Sequence, residues 1–382
     1  MRFEVSSSTI QQLIQTVSKV IVPKSNIPIL ECVLFEVKGN YLTITGADPG
    51  MRLEATIEIN NLSGEDGRFA VLQRVLLDPI KEMPEQPITF TVNYVEGAKE
   101  YESQIDYQSG KYTFLASPAD AYPEAFSLGQ EPQTIMIKAS DLMMAINATL
   151  YATSNDDRRP IMTGIYCDLF TDKVVFVGSD ARMLVRHQNT NVHADCNAGF
   201  SMPKKVATML SRSLLAHEDD DLMVKMSFSS KVIRVELPSF VLTALLVEGK
   251  FPNYNSVIPT SGPFMVTVDR QLLLSAARRI SVFASESTNM LKFDFGPDGI
   301  LLSANDLDFS VAAQEHVKAD CPADINLKTG FESKAFQSAL TAITSSEIKL
   351  YLTDQTRACV IEPCDYPEYI DQCTLILPMK II

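Results

Sequence analysis

The sequence predicts an α+β protein made of three tandem copies of one domain, each with two helices and an antiparallel sheet. Three observations lead to this prediction. A strand–turn–helix opening occurs three times, a small-residue turn holding one aspartate occurs three times, and 382 residues are too many for one ordinary core. The copies start about 130 residues apart, which is a domain size rather than a solenoid period. We therefore expect domains at 1–129, 130–259 and 260–382.

Each copy opens with a short strand, a polar turn and apolar residues at helical spacing. The openings are FEVSSSTIQQLIQTVSKVI from Phe3, IMIKASDLMMAINATLYAT from Ile135 and MVTVDRQLLLSAARRISVF from Met265. A second apolar-periodic run follows later in each copy, as RFAVLQRVLLDPIKEMP, GFSMPKKVATMLSRSL and GFESKAFQSALTAIT. The periodicity predicts six helices, over 9–22, 69–83, 141–152, 203–214, 270–283 and 332–343.

The repeated turn joins two strands in each copy. The stretches are YLTITGADPGMRLEATI, VVFVGSDARMLVRHQ and ILLSANDLDFSVAAQ, with Asp48, Asp180 and Asp306 at the same place. Apolar and polar residues alternate on both sides of the turn, which is typical of half-buried strands. A catalytic carboxylate is normally unique in a chain. We therefore expect these aspartates to hydrogen-bond the backbone of their own turns.

The sequence offers no convergent catalytic, cofactor or metal site. The four histidines lie apart and none has a Cys or carboxylate at metal-ligand spacing. Neither a P-loop motif nor a strand-linked G-x-G-x-x-G occurs. We therefore expect no enzyme activity, no metal and no cofactor. Two acidic runs, HEDDD from His217 and SNDDRR from Ser154, leave one alternative open: a metal-dependent hydrolase that uses Asp180, Asp156 or Asp157.

Charge and cysteine usage indicate the compartment and the kind of partner. The net charge is −14, yet the six predicted helices hold ten basic and four acidic residues, a net +6 that leaves −20 elsewhere. Helices sharing one side would make that side attractive to phosphates without sequence preference. Seven scattered cysteines are typical of free thiols in a reducing compartment. With neither a signal peptide nor an apolar run of about 18 residues, we expect a soluble cytoplasmic protein that does not contact membranes.

Three further stretches carry a family resemblance. The turn GSDARML at 178–184, EGKFPNYNSVIP at 248–259 and the terminal LILPMKII at 375–382, together with the three copies, resemble the bacterial DNA polymerase III β subunit family, the sliding clamps. The resemblance runs from Met1 to Ile382. It implies a head-to-tail homodimer in which each chain is half of a six-domain ring that encircles duplex DNA.

The same resemblance implies the partners. The ring would be placed on DNA by a clamp loader, and it would tether the catalytic subunit of DNA polymerase III, other polymerases and repair proteins. Polymerase and exonuclease activities would belong to these partners. A β-rich protein-interaction scaffold that never contacts DNA remains the alternative within the binding proteins.

In this family a pocket between the second and third domains takes a short, partly apolar peptide. The resemblance assigns its lining here to Arg159, Ile161, Met162, Ser179, Ala181, Arg182, Met183, Leu184, Pro252, Ser256, Val257, Thr356, Ala358, Leu375, Ile376, Leu377, Pro378 and Met379. Ala181, Arg182 and Met183 stand where the family usually has Gly, His and Arg, and Ser256 stands where Arg is frequent. We therefore expect a pocket of different shape with a less cationic rim.

The resemblance also assigns DNA contacts and a dimer seam. The DNA contacts are Lys24 in a loop and, on helices, Arg74, Lys81, Lys204 and Lys205. At the seam, Phe114 on an edge strand of the first copy is expected to contact Val282 and Phe283 near a helix end of the third copy. Edge strands left open at both ends of the chain would pair across protomers, which removes an aggregation hazard.

Overall fold

A computed structural model describes residues 1–95, 97, 99–216, 218–259 and 262–381. The chain divides into two compact units. The first unit comprises Met1–Met136 and Met223–Leu246, and the second comprises Ile137–Leu222 and Val247–Ile382. The second predicted copy is therefore shared, because its last strands belong to the first unit.

The described residues form six α-helices, which match the six predicted by periodicity. They are α1 (Ser7–Val17), α2 (Gln73–Lys81), α3 (Ala139–Thr149), α4 (Lys204–Met209), α5 (Arg270–Ser281) and α6 (Ser333–Ala342). A π-helical turn, Leu210–Leu214, continues α4. The helix predicted over 69–83 begins four residues later than expected, because Gly67–Leu72 is a strand whose buried side chains continue the apolar pattern.

Most of the strands of the first unit come from the first copy. They are β1 (Arg2–Ser6), β2 (Cys32–Lys38), β3 (Tyr41–Ala47), β4 (Met51–Glu58), β5 (Asn60–Asn61), β6 (Gly67–Leu72), β7 (Pro87–Val92), β8 (Tyr101–Tyr107) and β9 (Gly110–Pro118). The second copy adds β10 (Gln133–Lys138), β15 (Met223–Phe228), β16 (Val232–Glu236) and β17 (Phe240–Leu245). These form one sheet of 13 strands, in the order β10-β15-β16-β17-β4-β3-β2-β6-β9-β8-β7-β1-β5.

The second unit contains two further sheets. The second copy contributes β11 (Gly164–Leu169), β12 (Val174–Ser179), β13 (Met183–Asn189) and β14 (Ala198–Pro203). The third copy contributes β18 (Phe264–Asp269), β19 (Met290–Gly296), β20 (Gly299–Asp306), β21 (Val311–Val317), β22 (Leu327–Glu332), β23 (Glu347–Leu352), β24 (Cys359–Pro363) and β25 (Ile370–Ile376). One sheet runs β14-β11-β12-β13-β25-β24-β23-β18 and the other runs β21-β20-β19-β22.

Successive copies are joined by the same antiparallel strand pairing. At what we call the first junction, β4 pairs with β17 and Met51 lies opposite Ala244. At the second junction, β13 pairs with β25 and Met183 lies opposite Ile376. In both, the strand that follows the aspartate turn of one copy pairs with the last strand of the next copy.

The predicted role of the repeated aspartates is confirmed. Asp48 Oδ1 accepts hydrogen bonds from the backbone N–H groups two and three residues ahead, both at 2.7 Å. Asp180 does the same at 2.8 and 2.7 Å, and Asp306 at 2.9 and 3.3 Å. Each carboxylate therefore closes its own turn, as the small neighbouring residues allow.

A glycine before two of these turns sets how closely helix and strand pack. A Cβ added to Gly46 would lie 2.1 Å from the Val17 carbonyl oxygen, and one added to Gly178 would lie 2.1 Å from that of Thr149. Side chains larger than hydrogen are excluded at this distance. The helix ends therefore pack directly on the strands that lead into the first two turns.

Candidate peptide-binding site

An apolar cavity of about 270 Å³ lies beside the second junction, within the second unit. Its wall is formed by the turn after β12, the start of β13, the segment at 251–257 and the end of β25. The lining residues are Met162, Ser179, Ala181, Arg182, Met183, Leu184, Phe251, Pro252, Asn253, Tyr254, Val257, Ala358, Leu375 and Leu377. Adaptable apolar walls with a few polar groups are typical of sites that take apolar side chains.

The strand pairing places the apolar centre of this wall. Leu184 and Leu375 lie directly opposite each other in the β13–β25 register, and both are buried. Side chains alternate along a strand, so that Leu375 and Leu377 share one face. Leu377 is 48% exposed, which leaves an apolar side chain at the mouth of the cavity.

The aspartate turn of the second copy forms the opposite rim. Ser179 Oγ donates a hydrogen bond to the Met183 carbonyl at 2.8 Å, across the turn that Asp180 closes. Ala181 has a φ of 74°, in the left-handed region that favours glycine. The rim is therefore defined by the backbone, and it presents Ala181 and Arg182 to the cavity.

The remaining wall is held by aromatic and carboxylate contacts. Phe251 stacks on Tyr166, with ring centroids 4.7 Å apart and an interplanar angle of 4°. The Tyr254 hydroxyl donates to Asp168 Oδ2 at 2.7 Å. Burial raises the pKa of the Asp168 carboxyl and raises the pKa of Tyr166 to about 12. These contacts orient the segment that carries Pro252 and Asn253.

The structure brings eleven of the eighteen predicted positions to the cavity wall. These are Met162, Ser179, Ala181, Arg182, Met183, Leu184, Pro252, Val257, Ala358, Leu375 and Leu377. Ile376 is corrected, because strand alternation turns its side chain into the core of the third copy, where it is 2% exposed.

Six other predicted positions lie outside the wall. Ile161 packs against the apolar cluster that includes the lining residues Leu184 and Leu375. Ser256 and Thr356 use their hydroxyls locally, on the Asn253 carbonyl and the Asp354 carboxylate, both at 2.7 Å. Arg159 precedes a short 3-10 turn, and Pro378 and Met379 follow β25, with Met379 N–H donating to the Gly330 carbonyl at 2.7 Å. None of these six residues lines the cavity.

Three lining residues were not predicted: Phe251, Asn253 and Tyr254. The signal for them was present, because they flank or follow Pro252 in the FPNY stretch. Two aromatic residues next to a proline that is predicted to line a pocket are expected to line it as well, since aromatic side chains supply the largest contact area.

The predicted DNA contacts fall on both units. In the first unit, Lys24 lies exposed in a turn with a φ of 59°, and Arg74 and Lys81 are exposed on α2. In the second unit, Lys204 and Lys205 begin α4, and Lys204 Nζ donates to Asn155 Oδ1 at 2.8 Å.

The predicted seam residues differ in exposure. Phe114 is 6% exposed on β9, packed edge-on against Phe90. β9 is not an edge strand over its whole length, because Ser117 and Pro118 pair with β6, whereas the pairing from Gly110 to Ala116 is with β8. Val282 and Phe283 follow α5 and are 78% and 37% exposed. An apolar surface of this kind at a helix end is typical of a protein contact.

Three of the carboxylates considered for metal chemistry have local partners. Asp180 closes its turn, Asp156 binds the Arg158 guanidinium at 2.8 Å, and Asp221 binds Lys138 Nζ at 2.7 Å. Arg158 lowers the pKa of the Asp156 carboxyl. His217 lies outside the described residues. Among the residues that are described, no group of three or more His, Cys, Asp or Glu side chains is arranged to hold a metal ion. In the same part of the chain, no helix is long and apolar enough to cross a membrane.

Comparisons with known proteins cover the whole chain. Three models of the DNA polymerase III beta subunit match in tandem: the N-terminal domain over 1–125, the central domain over 136–253 and the C-terminal domain over 255–380. The chain is 25% identical over 390 residues to a beta sliding clamp of Haemophilus influenzae and 24% identical over 384 residues to one of Pseudomonas putida, with 100% of each chain covered.

Solved structures show the same fold. A sliding clamp (DNA polymerase III subunit beta) from Pseudomonas aeruginosa, bound to griselimycin, superposes with a TM-score of 0.91 at 23% identity. The beta subunit from the DNA polymerase of Streptococcus pyogenes superposes with a TM-score of 0.90 at 21% identity. Each comparison covers 100% of both chains.

Proposed function

The chain belongs to the DNA polymerase III β subunit family, and we propose that it acts in the cytoplasm as a DNA sliding clamp. Two copies would form a head-to-tail ring that encircles duplex DNA. The ring would tether the catalytic subunit of DNA polymerase III, other polymerases and repair proteins, and a clamp loader would place it. We further propose clamp domains at 1–129, 130–259 and 260–382. The chain would act without catalysis.

The observation that carries this proposal is the cavity at the second junction. Its wall combines Leu184, Leu375 and Leu377 from paired strands with Pro252 and the aspartate turn. The cavity, at about 270 Å³ and with mostly apolar lining, has room for one or two apolar side chains of a partner. A short peptide with apolar anchors fits this size.

A modest positive charge on DNA-facing helices would suffice, because a ring holds DNA by topology. Lys24, Arg74, Lys81, Lys204 and Lys205 would supply sequence-independent attraction to phosphates. Tight binding would oppose sliding. Loading on nicked circular duplex by a clamp loader should give retention that ends when the circle is linearised. Equal retention on linear duplex would contradict encirclement.

Peptide docking is tested by a matched pair of variants. Leu377→Asp places a charge at the cavity mouth, whereas Leu245→Asp makes the same change at the equivalent, 39% exposed position of the first junction. We expect Leu377→Asp to weaken binding of a polymerase-derived clamp-binding peptide at least about 30-fold, since the aspartate would lose solvation when the peptide covers it. Fluorescence anisotropy should show no change for Leu245→Asp. Equal losses in the two variants would contradict the assignment.

A further inference from the structure

The two junctions inside the chain follow one register, and that register predicts a third pairing. β9 and β17 both follow a two-residue turn, closed by Tyr107 with Gly110 and by Leu237 with Phe240, and Phe114 and Ala244 each lie four residues beyond that turn. Phe114 on β9 is therefore the first copy's counterpart of Ala244 and Ile376, which lie opposite Met51 and Met183 at the two junctions.

In the third copy, the strand after the aspartate turn is β21. It pairs with β20 and forms an edge of its sheet. Val311 lies opposite Asp306, and it is the counterpart of Met51 and Met183, whose carbonyls accept from Asp48 N–H and Asp180 N–H. The equivalent pairing would therefore set Val311 opposite Phe114 of a second copy of this chain.

Exposure of matched residues supports a second copy as the occupant. Residues at the helix end and turn are buried where a following copy covers them: Val20 and Met51 are 0% and 2% exposed, and Ala152 and Met183 are 0% and 5% exposed. Their counterparts in the third copy, Phe283 and Val311, are 37% and 40% exposed. In the part of the chain that the structure describes, Phe283 and Val311 thus form the apolar surface of a junction that no following copy covers.

One feature is particular to the third copy. Four residues, Leu307–Ser310, lie between the paired residues Asp306 and Val311. The turns of the first two copies, Pro49–Gly50 and Ala181–Arg182, contain two residues each. The longer turn carries Leu307 and Phe309 in the open, 83% and 74% exposed. Asp306 closes the turn with backbone hydrogen bonds, so that the two side chains are held outward. Leu307 and Phe309 lie in one four-residue turn, and clustered exposed apolar side chains of this kind are typical of protein contacts.

Within the chain, the turn carbonyl bonds a leucine of the following copy. Leu245 N–H donates to the Gly50 carbonyl at 2.8 Å, and Leu377 N–H donates to the Arg182 carbonyl at 3.0 Å. The first-copy counterpart of these leucines is Leu115, which is 55% exposed beside Phe114. The register therefore brings Leu115 of a second copy to the Leu307–Ser310 turn.

We infer that Leu307 and Phe309 form an apolar latch on Leu115 of a second copy, in a seam where Val311 lies opposite Phe114 and Ala312 opposite Thr113. The inference rests on the proposed homodimeric clamp and specifies its seam. A latch that adds apolar contact at each of two identical seams would slow the opening of a ring without strengthening its grip on DNA.

Cysteine cross-linking tests the register. Thr113 and Ala312 are exposed, and antiparallel partners that exchange hydrogen bonds have Cα atoms about 5.5 Å apart, within disulfide range. In the full chain with exposed Cys196 and Cys364 changed to Ser, Thr113→Cys with Ala312→Cys should give a reducible covalent dimer under mild oxidation. Thr113→Cys with Gln314→Cys, displaced by two residues on the same face, should give much less. The reverse preference would overturn the register.

Dimer dissociation tests the latch. Leu307→Ser with Phe309→Ser should raise the dissociation constant roughly tenfold per seam, hence roughly a hundredfold over two seams, by sedimentation at decreasing concentration. Leu62→Ser, at an exposed leucine of the first unit, should change it less than about twofold. A dimer unaffected by the latch variant would overturn the latch and leave the clamp standing. A wild-type chain that stays monomeric at high concentration would overturn both.

Discussion

The two junctions share a register but differ in what fills the space beside it. At the first junction, Arg52 lies opposite Thr243. Its guanidinium donates to Glu54 Oε1 at 2.8 Å and to the Pro123 carbonyl at 3.0 Å, and it lies 5.8 Å from the Tyr122 ring centroid. One buried arginine therefore fills the space between the strand and an aromatic–proline turn.

At the second junction, the corresponding pair is Leu184 and Leu375, and the aromatic–proline turn is Phe251-Pro252. Leu184 brings no guanidinium into this space, and the cavity is lined by Leu184, Phe251 and Pro252 together. The same strand register thus holds a buried arginine in one copy and an apolar cavity in the next. Two side chains on paired strands decide whether a junction only joins copies or also offers a docking site.

The largest expected effect comes from closing the open site. Leu184→Arg would place a guanidinium where the first junction has one, so the peptide would have to displace a charged side chain. We expect peptide affinity to fall at least about 100-fold, or about 2.7 kcal/mol, as measured by calorimetry. Thermal unfolding of the same variant separates lost binding from lost folding.

The reciprocal change is the control. Arg52→Leu should leave peptide affinity unchanged, and it should lower the free energy of unfolding by about 2 kcal/mol, because it removes a charge-assisted network from a buried position. Peptide affinity that responded to Arg52→Leu, or ignored Leu184→Arg, would break the comparison.

The junctions also show what sequence reasoning could reach. The turns were predictable because Asp48, Asp180 and Asp306 bond locally, within three residues. The pairing of β4 with β17 joins residues nearly two hundred positions apart, and alternation alone does not say which strands meet. The pocket positions were assigned from the family resemblance. It assigned both Leu375 and Ile376 to the lining, although the side chains of adjacent strand residues face opposite sides of the sheet. Phe251 and Tyr254 were omitted because their role depends on contacts with Tyr166 and Asp168, which are distant in the sequence.

A smaller difference between the junctions lies in the core. Where the first junction pairs Ala55 with Phe240, the second pairs His187 with Gln372, and His187 Nδ1 lies 2.9 Å from Gln372 Oε1. His187 is 0% exposed, and burial lowers its pKa, although Gln372 and the carboxylates of Asp141 and Asp371 oppose that shift. The unfolded chain therefore binds this proton more readily than the folded one.

The sign of the pH dependence follows. Above a pH of about 6.5, the pKa of histidine in the unfolded chain, the neutral imidazole of His187 costs no stability. As the pH falls from there toward the lower pKa of the folded state, the free energy of unfolding decreases by up to about 1.4 kcal/mol per pH unit. We expect urea unfolding at pH 7.5 and 5.5 to show this loss in the wild type and a smaller loss in His187→Gln. Equal losses in both proteins would place the pH dependence elsewhere.

The smallest expected effect concerns the turn at the rim of the open site. Ala181 holds a φ of 74°, where a Cβ is disfavoured by about 1–2 kcal/mol and glycine is not. Ala181→Gly should raise the free energy of unfolding by about 1 kcal/mol, less than the full strain because glycine also gains entropy in the unfolded chain. In the first turn, Pro49 is the counterpart of Ala181 and Gly50 is the counterpart of Arg182. Gly50→Ala should therefore have little effect, because the φ of Gly50 lies outside the left-handed region and the nearest atom to a new Cβ is Asp48 Oδ1 at 3.8 Å. Since Ala181 adds only a methyl group to the cavity wall, peptide affinity should change less than about threefold. A strained rim that is retained without an effect on binding would make the turn a positioning element, whereas a large loss of affinity in Ala181→Gly would show that the peptide contacts that methyl group.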